Sequence, residues 1–134
     1  MKTTTAHKIL IVDDDPNETK MTKWVLSKSG FNVKVEMASH GEAALELLRK
    51  EDDLPPVIFL DLKMPGLSGI ETLRMMRADE RLRNITVIIL TNSLLEGDKK
   101  ESYAAGAEGF LHKAFDIDRF GKDIKSVLER LLQG

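Results

Sequence analysis

Three short runs constrain this chain more than anything else in it: KILIV at 8–12, VIFL at 57–60 and TVIIL at 86–90. Each is continuously apolar and rich in β-branched residues, with no alternation that would leave one side for water. Such runs are strands buried on both faces, the pattern of central strands in a parallel sheet. A sheet of that kind needs cover on both sides, so helices must lie between the runs.

The intervening sequence supplies them. Asp15-Pro16 opens a first helix, with an acid at the N-cap, proline at N1 and Glu18 at N3, and Met21, Trp24 and Val25 form its apolar stripe. Ser39 and Glu42 make a capping box for a second helix carrying Ala44, Leu45 and Leu48. Ser68 begins a third, with Ile70, Leu73 and Met76 facing inward. Ser93 and Glu96 serve as caps for a fourth that reaches about Ala105 and has few anchors beyond Leu94, Leu95 and Tyr103. The fifth is the clearest, because Ile117, Phe120, Ile124, Val127, Leu128 and Leu131 keep helical spacing over four turns. Two further strands read as edges. NVKVEM (32–37) alternates, with Val33, Val35 and Met37 on one side, and GFLH (109–112) is short. Strand and helix therefore alternate five times with no linker or low-complexity tract, which implies a single α/β domain over 1–134 with its core about 7–133. The expected architecture is a flavodoxin-like (βα)5 three-layer sandwich with a parallel five-stranded sheet of order 2-1-3-4-5.

Charge and composition exclude several classes. A formal net charge of -2 with a pI near 5.9 gives no basic field for nucleic acid. The absence of cysteine removes disulfides and thiolate metal sites. MKTTTAHK lacks the apolar stretch of a signal peptide and no run approaches membrane-spanning length, so a cytoplasmic protein that does not bind membranes is expected. His7, His40 and His112 lack metal-ligand spacing and read as surface residues.

The chemistry lies at the strand ends. Asp13, Asp14 and Asp15 come after the first strand, Asp61 after the third, Thr91 at the end of the fourth and Lys113 after the fifth. In an open parallel sheet these positions share the carboxyl edge, where ligands bind at the switch point between the first and third strands. Two carboxylates about 4 Å apart repel by roughly 4 kcal/mol at an effective dielectric near 20. Asp13, Asp14 and Asp61 therefore call for a hard divalent cation, and Mg2+ suits oxygen ligands shared with a phosphoryl group. Asp61 can act as a nucleophile toward phosphorus, with Thr91 and Lys113 sharing the charge on the equatorial oxygens. Asp15 reads simply as the helix cap.

These residues carry a resemblance. ILIVDDDP, VIFLDLKMPGLSG, VIILTNS and GFLHK, in that order and spacing, resemble the receiver (CheY-like) domain of two-component response regulators over roughly residues 7 to 133. The resemblance implies that Asp61 is the phosphoacceptor, Asp14 the direct acidic ligand of Mg2+ and Asp13 a ligand through water. It also implies that the backbone carbonyl of Lys63 completes the protein's share, that Thr91 and Lys113 bind the phosphoryl oxygens, and that Phe110 is the aromatic switch. The implied partners are a sensor histidine kinase and, with no output domain expected, a downstream protein or a histidine phosphotransfer protein, with a homodimer left open. ADERLRNITVIILTNSL and ESYAAGAEGF are further similar to the small receivers associated with phytochrome-type kinases. No enzymatic activity is expected beyond self-catalysed phosphorylation and dephosphorylation.

The chain departs from the family pattern in places. Lys113 is followed by Ala114 where the family has proline, and a trans bond is expected because cis costs about 2.5–4 kcal/mol before other residues. Asn92 is placed to narrow access to the phosphoryl site, and Lys63 to pair with Asp61 or screen water. Ala114 and Asn92 keep a second reading open, a degenerate receiver acting as a scaffold without phosphorylation. A haloacid-dehalogenase-like phosphatase is disfavoured because Lys63 stands where its second acid belongs. A flavodoxin role is disfavoured because the acidic loop repels FMN phosphate.

Overall fold

The structure is a computed structural model and describes residues 6–113 and 116–132. Its five strands are β1 (His7–Val12), β2 (Val33–Ala38), β3 (Val57–Leu60), β4 (Thr86–Thr91) and β5 (Gly109–His112). The helices between and after them are α1 (Pro16–Ser27), α2 (Gly41–Lys50), α3 (Gly69–Ala78), α4 (Glu96–Ala104) and α5 (Ile117–Leu132). All strand pairs are parallel and the order is β2-β1-β3-β4-β5, as the sequence implies.

The double burial expected of the central runs is visible residue by residue. Leu10, Val12, Ile58, Leu60, Val87 and Ile89 point to one face, against Leu45 and Leu48 of α2 and Leu73 and Met76 of α3. Ile9, Ile11, Val57, Phe59, Ile88 and Leu90 point to the other, against Val25 and Leu26 of α1 and Phe120, Ile124 and Leu128 of α5. Fully burying one such side chain contributes about 1.5–3 kcal/mol, so these two layers carry most of the hydrophobic stabilisation.

Several local expectations change. Val25 is buried and Met21 packs against the core as expected, but Trp24 is 53% exposed and its place is taken by Thr22 and Leu26. The second helix is capped by His40, not Ser39: its Nδ1 accepts the Ala43 N–H at 3.2 Å, because β2 runs on through Ala38 opposite Val12 and pushes the helix entry along. One Glu42 oxygen accepts the Leu67 N–H at 3.3 Å and the other lies 3.4 Å from the His40 ring, so the pair does not form the capping box expected with Ser39. Ser68 and Glu71 do form the capping box of α3. α4 has Leu95 at its N-cap, which offers no acceptor, and Leu94, Leu95 and Tyr103 are exposed, leaving Ser102 as its fully buried residue. Ile117 and Leu131, at the two ends of the α5 stripe, are partly exposed. The Lys113-Ala114 peptide lies outside the described residues.

Candidate functional site: an acidic cluster at the carboxyl edge

Each site residue is set by the end of a strand. The Asp13 N–H bonds to Ala38 O at 3.1 Å and the Asp61 N–H to Val12 O at 2.9 Å, so the β-ladder itself places both acids at the switch point. Gly69 lets α3 start directly beneath Asp61: a Cβ there would stand 2.2 Å from the Asp61 carbonyl oxygen. Gly66, at φ +75°, makes the turn that returns the chain to that helix. Lys113 is fixed by its own N–H to Thr91 O at 2.8 Å.

The side chains converge. Lys113 Nζ stands 2.6 Å from Asp13 Oδ2, 2.6 Å from Glu18 Oε1 and 3.7 Å from Asp61 Oδ1. Asp61 Oδ1 also accepts the Leu62 N–H at 2.9 Å, while Oδ2 takes no hydrogen bond from the described residues. Thr91 Oγ1 is buried and accepts the Ser93 N–H at 3.1 Å. Glu18 Oε2 accepts from Asn92 Nδ2 at 2.7 Å. Asp13, Glu18 and Asp61 bring one carboxylate oxygen each to within 4.8 Å of one another.

Three carboxylates thus share one ammonium. Burial pushes the Asp61 pKa up to about 6; Lys113 and the Leu62 N–H oppose the rise and the Asp13 and Glu18 carboxylates reinforce it. Burial works against the Lys113 ammonium too, yet its bonds to Asp13 and Glu18 outweigh that and hold its pKa above the ordinary lysine value. The donors are all hard oxygens and their charge exceeds what Lys113 supplies, so the cluster fits a divalent cation of the Mg2+ class.

The other expected residues fall around this cluster. Asp14 is exposed and lines, with Asp61, Lys63 and Thr91, a cleft of 470 Å³ that opens onto the acids. It is not in the close carboxylate trio; Glu18 takes that place. Lys63 does not pair with Asp61: its exposed ammonium lies 3.7 Å from Asp98 Oδ2 on α4. Phe110 is half-buried and lines a 250 Å³ cleft with Leu94, Leu95 and Lys99. Asn92 borders the acidic cleft, as its position implies, and does so through its bond to Glu18. Sequence alone does not mark Glu18 as a site residue, because an acid at N3 of a helix already has an explanation. The signal that would find it is geometric, since the first turn of α1 starts at the same sheet edge as the strand-end acids.

Comparison with known proteins agrees with this geometry. Residues 9–125 match the response regulator receiver domain. The chain belongs to the receiver family. It is 31% identical over 122 residues to the response regulator Rre1 of Synechocystis, covering 91% of this chain and 52% of Rre1, so it spans about half the length of that relative. Among solved structures, the phosphorylated cyanobacterial phytochrome response regulator RcpA superposes with a TM-score of 0.87 at 26% identity, covering 96% of both chains. The Mn2+-bound form of the response regulator Rcp1 gives 0.83 at 25% identity, also over 96% of both. Receivers of two-component systems work between histidine kinases and downstream proteins, and this chain is built as one. No described helix is long and apolar enough to cross a membrane.

Proposed function

We propose that this receiver is a phosphorylation switch whose phosphoacceptor is Asp61. Asp61 Oδ2 attacks the phosphorus of a phosphohistidine on a sensor kinase; the new O–P bond forms as the N–P bond breaks, and the electron pair leaves with the imidazole, which takes up a proton. The observation that carries this reading is the placement of Asp61. It is buried at the switch point with one oxygen held by Leu62 and faced by Lys113, and the other free of hydrogen bonds from the described residues.

Lys113 and the Thr91 hydroxyl are the groups positioned to bind phosphoryl oxygens, Thr91 by leaving the Ser93 N–H. Asp14, which borders the cleft over Asp61, would hold Mg2+ together with Asp61, the backbone carbonyl of Lys63 and, through water, Asp13, while Glu18 is engaged by Lys113 and Asn92. When bound, the ion supplies the positive charge that lets carboxylates and an incoming phosphoryl group share one site. The Mn2+ form of Rcp1 supports an ion in this class of site, and the phosphorylated state of RcpA supports the acceptor chemistry. The likeness to RcpA also supports a phytochrome-type kinase as donor. The output is binding of a downstream protein or a histidine phosphotransfer protein, in the cytoplasm, through the face around Phe110, α4 and α5. The chain's chemistry is confined to forming and losing its own acyl phosphate, so it is a switch and not an enzyme.

Incubation with acetyl phosphate and Mg2+ tests this directly. A hydroxylamine-labile adduct forms on Asp61 in the native protein and is absent from Asp61→Asn. If no small donor or kinase produces an adduct, the protein is a scaffold that works without phosphorylation.

A further inference from the structure

Glu18 is not required by the helix that carries it. α1 is already capped by Asp15, whose Oδ1 accepts the Asn17 N–H at 2.9 Å and the Glu18 N–H at 3.4 Å, with Pro16 at N1. The Glu18 side chain instead crosses the mouth of the site. One oxygen takes the Lys113 ammonium at 2.6 Å and the other takes the Asn92 amide at 2.7 Å.

Those two donors stand just after the ends of β5 and β4. Lys113 is tied to the Thr91 carbonyl through its backbone, and Asn92 is the next residue in the chain. A planar carboxylate that holds both with its two oxygens presents what two oxygens of a phosphoryl group would present. Together with Asp13, also at 2.6 Å, it keeps Lys113 away from Asp61, which stands at 3.7 Å. Glu18, Asn92 and Leu94 all border both the 470 Å³ cleft over Asp61 and a 540 Å³ cleft lined also by Met21, His112 and Lys113.

We infer that Glu18 is a placeholder for the phosphoryl group: in the resting protein its carboxylate occupies the Lys113 and Asn92 donors, and phosphorylation of Asp61 transfers both donors to phosphoryl oxygens. This rests on the reading of Asp61 as phosphoacceptor. The exchange is favoured by charge, because a phosphoryl group carries about -1.5 to -2 against -1 for the carboxylate. It is also sterically open, because the Glu18 side chain is 27% exposed and can turn out into water. Glu18 is a positioning residue that acts through Lys113 and Asn92. Once displaced, it leaves the first turn of α1 without its tie to Asn92 and Lys113 at the ends of β4 and β5.

The test is titration with beryllofluoride in the presence of Mg2+, read by NMR at the Asn92 side-chain amide and by overall affinity. Glu18→Gln weakens the competitor at unchanged size and Glu18→Ala removes it. Each variant binds beryllofluoride more tightly than the native protein, Glu18→Ala by about tenfold, the worth of one charge-assisted hydrogen bond. In both, the Asn92 amide signal of the beryllofluoride-free protein departs from the native position, whereas with beryllofluoride all three proteins coincide. Unchanged or weaker binding in both variants overturns the placeholder and leaves Glu18 a structural strap or a metal ligand. A native protein that does not respond to beryllofluoride, with Asp61→Asn as control, overturns the phosphoacceptor reading and the placeholder together. A native response without the variant effect removes only the placeholder.

Discussion

At the amino end of the sheet, Arg77 of α3 donates to Gly106 O at 2.8 and 3.2 Å, Arg83 O at 3.0 Å, Ile85 O at 2.8 Å and Glu108 Oε1 at 2.6 Å. At the carboxyl end, Lys113 faces Asp13, Glu18 and Asp61. Both cations are hubs that join several segments. Their acceptors differ: Arg77 meets mostly carbonyls, whose charge is partial and fixed, and a single carboxylate, whereas Lys113 meets three carboxylates. One end is electrostatically matched and stabilises the fold. The other keeps surplus negative charge in a buried place, which disfavours the fold and prepares the site for a cation and a phosphoryl group. The amino end has one blemish. Glu36 Oε1 is buried without a hydrogen bond from the described residues, with Lys8 Nζ at 3.8 Å, and burial together with Glu51 raises the Glu36 pKa.

The comparison is tested hardest at the two hubs. Arg77→Ala strips the acceptors on the approaches to β4 and β5 and lowers stability by about 2–4 kcal/mol, seen as a fall in the urea midpoint at unchanged slope. A loss below about 0.5 kcal/mol would mean the amino end is not held by this residue.

Asp61→Asn moves stability the other way. The folded-state pKa is raised from 3.8 to about 6, so the folded protein binds a proton at Asp61 more readily than the unfolded chain does. The favourable contribution is full below the unfolded value and is lost as pH rises through the folded one. The native, metal-free protein therefore loses about 2 kcal/mol between pH 4 and pH 7 on account of this group, after allowance for its partial contact with water, and Asp61→Asn does not. Urea midpoints of the two proteins at both pH values give the difference, which also removes the background from Glu36. If the variant is no more stable than the native protein at pH 7, the charge surplus at the carboxyl end is not a burden on the fold.

Legibility in the sequence divides along the same physical line. Strands buried on both faces announce themselves, so the five-strand order and the strand-end positions of Asp13, Asp61, Thr91 and Lys113 are legible. The residues that escape are those whose type suits two environments. Trp24 fits a helix stripe by spacing but stays 53% exposed, lining a cleft beside Ile117 and Gly121 of α5. Glu18 satisfies a helix N-terminus and, equally, a cationic cluster. Lys63 is close enough in sequence to suggest Asp61, yet it reaches Asp98, because α4 places an acid within range of its long side chain. Ser39 and His40 are both able to cap, and only the pairing of Ala38 with Val12 decides between them.

α4 runs between the two ends and so carries the contrast within one helix. Its C-terminal side leads to Gly106, whose carbonyl Arg77 holds twice, and Ser102 is buried there with its hydroxyl on Asp98 O at 2.7 Å. Its N-terminal side has no side-chain cap at Leu95; Ser93 Oγ donates to the Asp98 carboxylate and accepts the Leu95 N–H at 3.2 Å, and Lys63 stands 3.7 Å from Asp98. The far ends of these ties are the Thr91 hydroxyl, which receives the Ser93 N–H, and the loop after Asp61. Asp98→Asn weakens the Lys63 and Ser93 contacts while leaving the core untouched. Amide exchange in the first turn of α4 then accelerates by about tenfold, its last turn is unchanged, and global stability shifts by less than about 0.5 kcal/mol. Arg77→Ala reverses the pattern, loosening the last turn first. If Asp98→Asn loosens the whole helix evenly, α4 responds as one body and the two ends of the sheet do not act on it separately.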